Sequence, residues 1–311
     1  MTTSGSYDFT LDRDGIIGEA FELCGATAVG EDPSAAQLTS GGQMLNLMLK
    51  GWQNEGIALW LNQQITLFLD YETQSYLLGP SGGNASATVV KTEIKTAAVE
   101  TALTIIVDSI TGITTGDYIG VELDDGTLQW TTVNGVPSGS TVTLAAALTD
   151  DVAVDNHVYV YTDKAQRPLE IVEGRRIAAD GESSTPLLPV SRQEYMALSD
   201  KSNLGVTTQF YYDPQLTNGA LYVWPTCADV QETLKFTIKR PFQDFDASAD
   251  TGDFPTEWLD AVTTNLSERI RIKLHMPADK DLKAWADKAL FMAKTYDNEK
   301  TSTFFQPDMG R

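Results

Sequence analysis

The sequence is poor in the side chains that most enzymes use for chemistry. Of 311 residues, two are histidine and two are cysteine. His157 falls in a strand pattern and His275 at a helix end just before Pro277, so each reads as a structural imidazole, not a general base. Cys24 lies on the apolar stripe of a helix and Cys227 is far from it in sequence, which leads us to expect two buried, reduced thiols in a protein made in a cytoplasm. No Gly-x-Ser-x-Gly, P-loop or dinucleotide fingerprint is present, and triad and nucleotide chemistry have no foothold. No apolar run approaches the ~20 residues of a membrane span, and Met1 to Tyr7 is small and polar, unlike a signal peptide, so no membrane association is expected.

Basic residues are scarce too. Lys plus Arg number 22 against 43 Asp plus Glu, for a net charge of -21, and residues 1–163 hold 21 of the acids but four of the bases. Such a surface repels phosphate, and no basic run interleaved with aromatics occurs, so tight nucleic-acid binding is not expected. The acidity suits a conduit through which DNA slides without sticking; it equally suits an abundant protein that must stay soluble. Asp124-Asp125-Gly126 and Asp150-Asp151 lack the alternating ligand spacing of a calcium loop and read as turn aspartates that hydrogen-bond their own backbone. Glu19 and Glu22 form the kind of carboxylate pair a glycosidase needs, but 43 acids generate such pairs by number alone. No catalytic, cofactor-binding or metal-ligating residue is assigned.

What is present is scaffold. Thr10 or Asp12 caps a helix with Ile16, Ile17, Ala20, Phe21 and Cys24 on one face, ended by Gly25. A second helix begins near Pro33 and buries Leu38, Leu45, Met48, Leu49 and Trp52. Ile65 to Leu69 and Tyr71, Tyr76, Leu77 read as extended strand. The composition changes at Gly79 to Asn84. From there to about Thr162 short strands recur at 87–90, 103–107, 118–123, 129–133, 141–144 and 157–161, with turns at Asp125-Gly126 and Pro137-Ser138-Gly139. Leu103, Ile105, Val107, Ile119, Val121, Val158 and Val160 supply its core.

The chain resumes with strand Leu169 to Val172, a short helix capped by Ser191 and Glu194, and strands around Phe210, Leu221 to Trp224 and Leu234 to Lys239. Asn218-Gly219, flanked by Phe210 and Tyr212 and by Tyr222 and Trp224, predicts a two-residue hairpin turn. Two helices follow, one from Pro255 with Trp258, Val262, Leu266 and Ile270, the other after Pro277 with Leu282, Trp285, Ala289, Leu290 and Tyr296. The reading is α+β: a helical core with a small strand element in two parts (1–84 and 163–300), an inserted small antiparallel β-barrel or β-sandwich (85–162), and an extended C-terminal tail (301–311).

Leu23-Cys24-Gly25, Leu45-Asn46-x-Met48-Leu49-x-x-Trp52, Trp60 with Gln64, Arg192-x-x-Tyr195, Tyr212-Asp213-Pro214, Trp224-Pro225, Arg240-Pro241 and Pro255-x-Glu257-Trp258 occur in this order over residues 8–80 and 165–300. In that order the chain resembles the head-to-tail adaptors of short-tailed bacteriophages, the tail accessory or head-completion family that stabilises packaged DNA. The resemblance implies a virion protein with no enzymatic activity and no cofactor. It forms a homo-oligomeric ring, typically a dodecamer, below the portal protein at the head–tail interface, and is made in the cytoplasm of a bacterial host. Such a ring extends the channel for DNA ejection and docks tail nozzle, tail-fibre or tailspike proteins, while packaged DNA passes without sequence-specific binding. Trp52, Trp258 and Trp285 are then expected as core or subunit-interface anchors, and Phe304, Phe305 and Met309 as the portal-docking end. The insert departs from the simplest form of this pattern. Two other classes stand beside it: a virion-associated cell-wall hydrolase, and a carbohydrate-binding tail-fibre module suggested by the Thr-rich insert.

Overall fold

A computed structural model describes residues 4–6, 9–55 and 59–297. It contains five α-helices among these residues: α1 (Arg13–Leu23), α2 (Ala35–Asn54), α3 (Arg192–Ala197), α4 (Leu259–Lys273) and α5 (Lys280–Tyr296). The chain divides into two compact units, 1–61 with 242–311 and 62–241. The segment 85–162 read above as an insert lies wholly inside the second. Phe304, Phe305 and Met309 lie outside the described residues. The fold is α+β.

The first unit is helical, and its helices start where side chains satisfy the free N–H groups of a first turn. Asp12 accepts from Gly15 N, and Ser34 forms a reciprocal box with Gln37. Ile16, Ile17, Ala20 and Phe21 of α1 pack with Leu45, Met48, Leu49 and Trp52 of α2 and with Val262, Leu266 and Ile270 of α4 in one core. Helix α2 comes close to α1 at Gly41, where an added Cβ would stand 2.6 Å from Ile17 Cγ2. The irregular stretch 242–254 is fastened to α2 by amide groups. Asn46 Nδ2 donates to Phe245 O (3.1 Å), its Oδ1 accepts from Phe245 N (3.0 Å), and Gln53 Oε1 accepts from Phe242 N (2.8 Å). These bonds hold Phe242 and Phe245 in the core; each buried large apolar side chain is worth roughly 1.5–3 kcal/mol.

The second unit is built of strands. A five-stranded antiparallel sheet runs in the order Ser184–Pro186, Glu170–Ile177, Thr233–Lys239, Asn62–Phe68, Ala85–Ser86. A four-stranded sheet runs Leu188–Pro189, Gln209–Asp213, Gly219–Trp224, Ser75–Leu78. Ile65, Leu67, Leu234, Phe236 and Ile238 of the first sheet share a core with Tyr76, Leu78, Phe210, Leu221 and Val223 of the second.

The six-stranded antiparallel sheet runs Leu128–Thr132, Tyr118–Glu122, His157–Tyr161, Val90–Thr96, Thr104–Val107, Thr141–Thr143. It curls until its edges meet at the Val133–Leu144 bridge, where Asn134 N donates to Thr143 O (2.8 Å) and Ala145 N to Thr132 O (2.9 Å). Ile94, Ile105, Val107, Ile119, Val121, Val158 and Val160 fill it. Leu103 does not join them and is 52% exposed. Outside this core Leu128, Tyr159 and Tyr161 pack with Phe68 and Val230, and Trp130 lies 5.1 Å from the Phe68 ring.

Two further local expectations change. The strands Gln209–Asp213 and Gly219–Trp224 are joined by a five-residue connection, Pro214 to Asn218, with Asp213 opposite Ala220. Gly219 is a strand residue, and its missing Cβ makes room for the Tyr212 ring. On α5 the buried positions are Leu282, Ala286, Ala289 and Ala293, whereas Trp285 and Tyr296, expected on the buried face, are 47% and 73% exposed. Small alanines let α5 lie close to α4, and the bulkier residues are displaced to its flank.

Candidate interaction surface

The expected anchor tryptophans separate into two environments. Trp52 and Trp258 are buried, with ring centroids 5.8 Å apart. Trp60, unassigned in the sequence reading, lies 4.9 Å from Trp258 and donates from Nε1 to Asp253 O (2.9 Å). All three line a small apolar pocket with Phe242, Phe254 and Val262, which is part of the helical core. Trp285 stands apart on α5, its Nε1 donating to Asp260 Oδ2 at 3.3 Å.

Trp285 is one of several large apolar side chains left uncovered on the helices. Met292 is 59% and Phe291 70% exposed. At about 100° per residue, Trp285, Met292 and Tyr296 fall along one flank of α5, beside the alanine face that packs inward. A separate shallow groove on the same unit is lined by Met44 and Leu47 of α2 and by Arg269, Ile272 and Lys273 of α4, with a volume of ≈ 310 Å³. Leu47 and Ile272 are 70% and 68% exposed. Exposed apolar side chains grouped in this way make these two places the candidate interaction surfaces of the unit.

Among the ionisable groups, Glu122 and Asp125 have structural hydrogen-bond partners. The His157 ring lies between Glu122, with Nδ1 to Oε2 3.3 Å, and Glu93 at 3.8 Å. Glu122 is 8% exposed; its Oε2 accepts from His157 N (3.0 Å) and its Oε1 from Gln231 Nε2 (2.6 Å). This carboxylate therefore ties the curled sheet to the loop before Thr233. His275 follows α4 at φ 56. Glu19 and Glu22 both lie on α1, and Asp125 Oδ1 accepts from Thr127 N at 2.8 Å as a turn residue. Cys24 and Cys227 are free and buried. Burial pushes both thiols up, Cys227 to about 12 from 9.0. Among the described residues no cluster of three or more His, Cys, Asp or Glu side chains is placed to hold a metal ion. No helix there is long and apolar enough to cross a membrane.

No protein-family model matches the chain, and no curated protein matches its sequence. Among solved structures, a partial similarity exists to the Gp54 tailspike of Acinetobacter baumannii bacteriophage AP22, determined in complex with A. baumannii capsular saccharide. The two are 15% identical with a TM-score of 0.23, over 26% of this chain and 16% of the tailspike chain. A likeness of that extent carries no functional argument.

Proposed function

We propose that the protein is a non-enzymatic virion component of a bacteriophage, a head-to-tail adaptor that rings the underside of the portal, extends its channel, helps retain packaged DNA and docks the tail. One observation carries this reading: the helical unit leaves two groups of large apolar side chains exposed. Trp285, Met292 and Tyr296 on α5, and Leu47 and Ile272 across the α2–α4 groove, are two distinct exposed apolar surfaces on one unit. A contact between two different patches on identical chains is heterologous, and it closes into a ring when the rotation allows. The ordered sequence motifs, from Leu23-Cys24-Gly25 to Pro255-x-Glu257-Trp258, support the same family.

The net charge of -21 supports a templated ring, because like-charge repulsion opposes association until a partner adds contact area. Negative-stain imaging of the purified protein with and without portal tests the reading. Closed rings on the portal, with small species in the protein alone, are expected. A mixture in which the protein never joins the portal overturns it, and product release from peptidoglycan would replace it with a hydrolase.

A further inference from the structure

Residues 62–241 contain a cleft of ≈ 340 Å³ lined on one side by Gln64, Thr66 and Lys235 of the five-stranded sheet, and on the other by Lys91 and Tyr159 of the curled sheet. Lys91 and Lys235 are its two charged lining residues, and both are exposed. Lys91 lies 5.9 Å over the Tyr159 ring, and neither ammonium has a carboxylate partner among the described residues. This is an unusual place to find two bases. Residues 81–163 hold eleven acids and two lysines, and one of those lysines faces this cleft.

The same unit carries the opposite charge on a group of loops that connect strands of the curled sheet. Three loops, 97–100, 123–127 and 149–156, contain Glu100, Asp124, Asp125, Asp150, Asp151 and Asp155 and no lysine or arginine. Hydrogen bonds hold the loops together: Asp124 N donates to Asp151 O (2.9 Å), Glu100 N to Asp151 Oδ1 (2.7 Å), and Ala153 N to Asp124 Oδ1 (2.8 Å). The acidic tip these loops form is therefore preformed.

We infer that the acidic tip of one copy seats in the lysine cleft of the next, forming an electrostatic latch between identical chains. The cleft offers two ammonium groups with Gln64, Thr66 and Thr233 as further donors, and the tip offers carboxylates on a hydrogen-bonded framework. Tip and cleft are different surfaces, so each copy presents both halves of a heterologous contact. Charge complementarity of this kind sets register and suppresses wrong pairings between chains that each carry a net charge of -21. The inference rests on the ring reading above and supplies it with a polar contact separate from the apolar helix surfaces.

The test is carbodiimide coupling of full-length protein, as an equal mixture of ¹⁴N and ¹⁵N chains at the highest soluble concentration, with peptides read by mass spectrometry. Mixed-isotope links joining Lys91 or Lys235 to Asp124, Asp125, Asp150 or Asp151 are expected. The double variant K91E/K235E, or D124K/D125K, weakens self-association read by sedimentation velocity by about tenfold, and the chain carrying all four changes recovers both the association and the cross-links. The neutral pair K91Q/K235Q, with its melting curve unchanged, gives the same loss of association by sedimentation velocity should the charge reversals disturb folding. Absence of mixed-isotope links, or reversals without effect, overturns the latch. Rings on the portal that are identical for wild type and K91E/K235E discard the latch and leave the adaptor reading standing. Latch-specific links in a protein that never joins a portal do the reverse.

Discussion

The Trp60 ring meets Trp258 edge-on, with centroids 4.9 Å apart and planes at 63°. One residue follows α2 and the other precedes α4, and Trp52 of α2 closes the cluster from 5.8 Å away. Aromatic pairs in this tilted geometry add about 0.5–1.5 kcal/mol beyond the area they bury. The cluster fixes the chain at the place where it leaves the helical unit and returns to it.

Trp258→Ala therefore removes the shared ring. It is predicted to cost about 3–5 kcal/mol, read as a lower urea midpoint with an unchanged slope. Trp285→Ala, on a half-exposed flank, is predicted to change stability by under about 1 kcal/mol while reducing ring formation on the portal. Equal destabilisation by both would place Trp285 in the core.

Gly41→Ala sets helix propensity against packing. In an exposed helix the change gains roughly 1 kcal/mol. Here the added methyl stands 2.6 Å from Ile17 Cγ2 and 3.4 Å from Phe21 Cε2, both buried, so α1 has to move away. The expected net is a loss of about 1–3 kcal/mol, checked by thermal and chemical denaturation. Gly51→Ala, with nothing within 4 Å of the added Cβ, is the matched control and is expected to stabilise.

The parts legible in the sequence are those in which a local rule and the tertiary fold agree. Asp12 and the Ile16, Ile17, Ala20, Phe21 stripe define α1, and Ser191 with Glu194 starts α3 as the capping-box spacing requires. The strand runs Val90–Thr96, later than the 87–90 its sequence suggests, because only two of its seven residues, Thr92 and Ile94, are buried and lysine and glutamate occupy the alternate positions. The pairing of Asn62–Phe68 with Thr233–Lys239 joins strands far apart in sequence, and no local pattern encodes that partnership. The hairpin expected around Asn218-Gly219 forms, but with a longer turn: Gly219 pairs as a strand residue and makes room for the Tyr212 ring, so the connection runs from Pro214 to Asn218. On the functional side, the buried tryptophans Trp52 and Trp258 follow from helical spacing. The flank of α5 and the lysine cleft do not, because each depends on which neighbours tertiary packing supplies.

The buried thiols predict a pH response. Cys227 titrates near 9.0 when exposed and is held up to about 12 by burial, with the neighbouring Glu232, Asp229 and Asp70 also raising it. Between those values the folded chain keeps a proton that the unfolded chain has released, so the unfolded state binds fewer protons and stability falls as pH rises. Stability from this group is complete below pH 9.0 and is lost progressively towards about 12. Denaturation midpoints measured across that range should decline, and Cys227→Ala should flatten part of the decline. At neutral pH both thiols should resist a disulfide reagent until denaturant is added; rapid reaction of the native protein would contradict the burial.

The curled sheet supplies the last prediction. Its inner residues, among them Ile94, Ile105, Ile119, Val121, Val158 and Val160, form a core to which no strand of the other sheets contributes. The aromatic side chains on its outer surface are different, because Tyr159 and Tyr161 are buried against Phe68, with Tyr159 4.8 Å from that ring. Expressed alone, residues 85–162 should therefore give a cooperative melt and slow amide exchange at Ile105, Val121 and Val158. The isolated segment should also bind a hydrophobic dye that the whole chain does not, through the surface that Phe68 normally covers. Phe68→Ala in the whole chain should cost about 3–5 kcal/mol and expose the same surface. A segment that is unfolded by circular dichroism would mean that the curled sheet needs Phe68 and its strand to fold at all. A folded segment with no dye binding would mean that the aromatic seam contributes little to holding the sheets together.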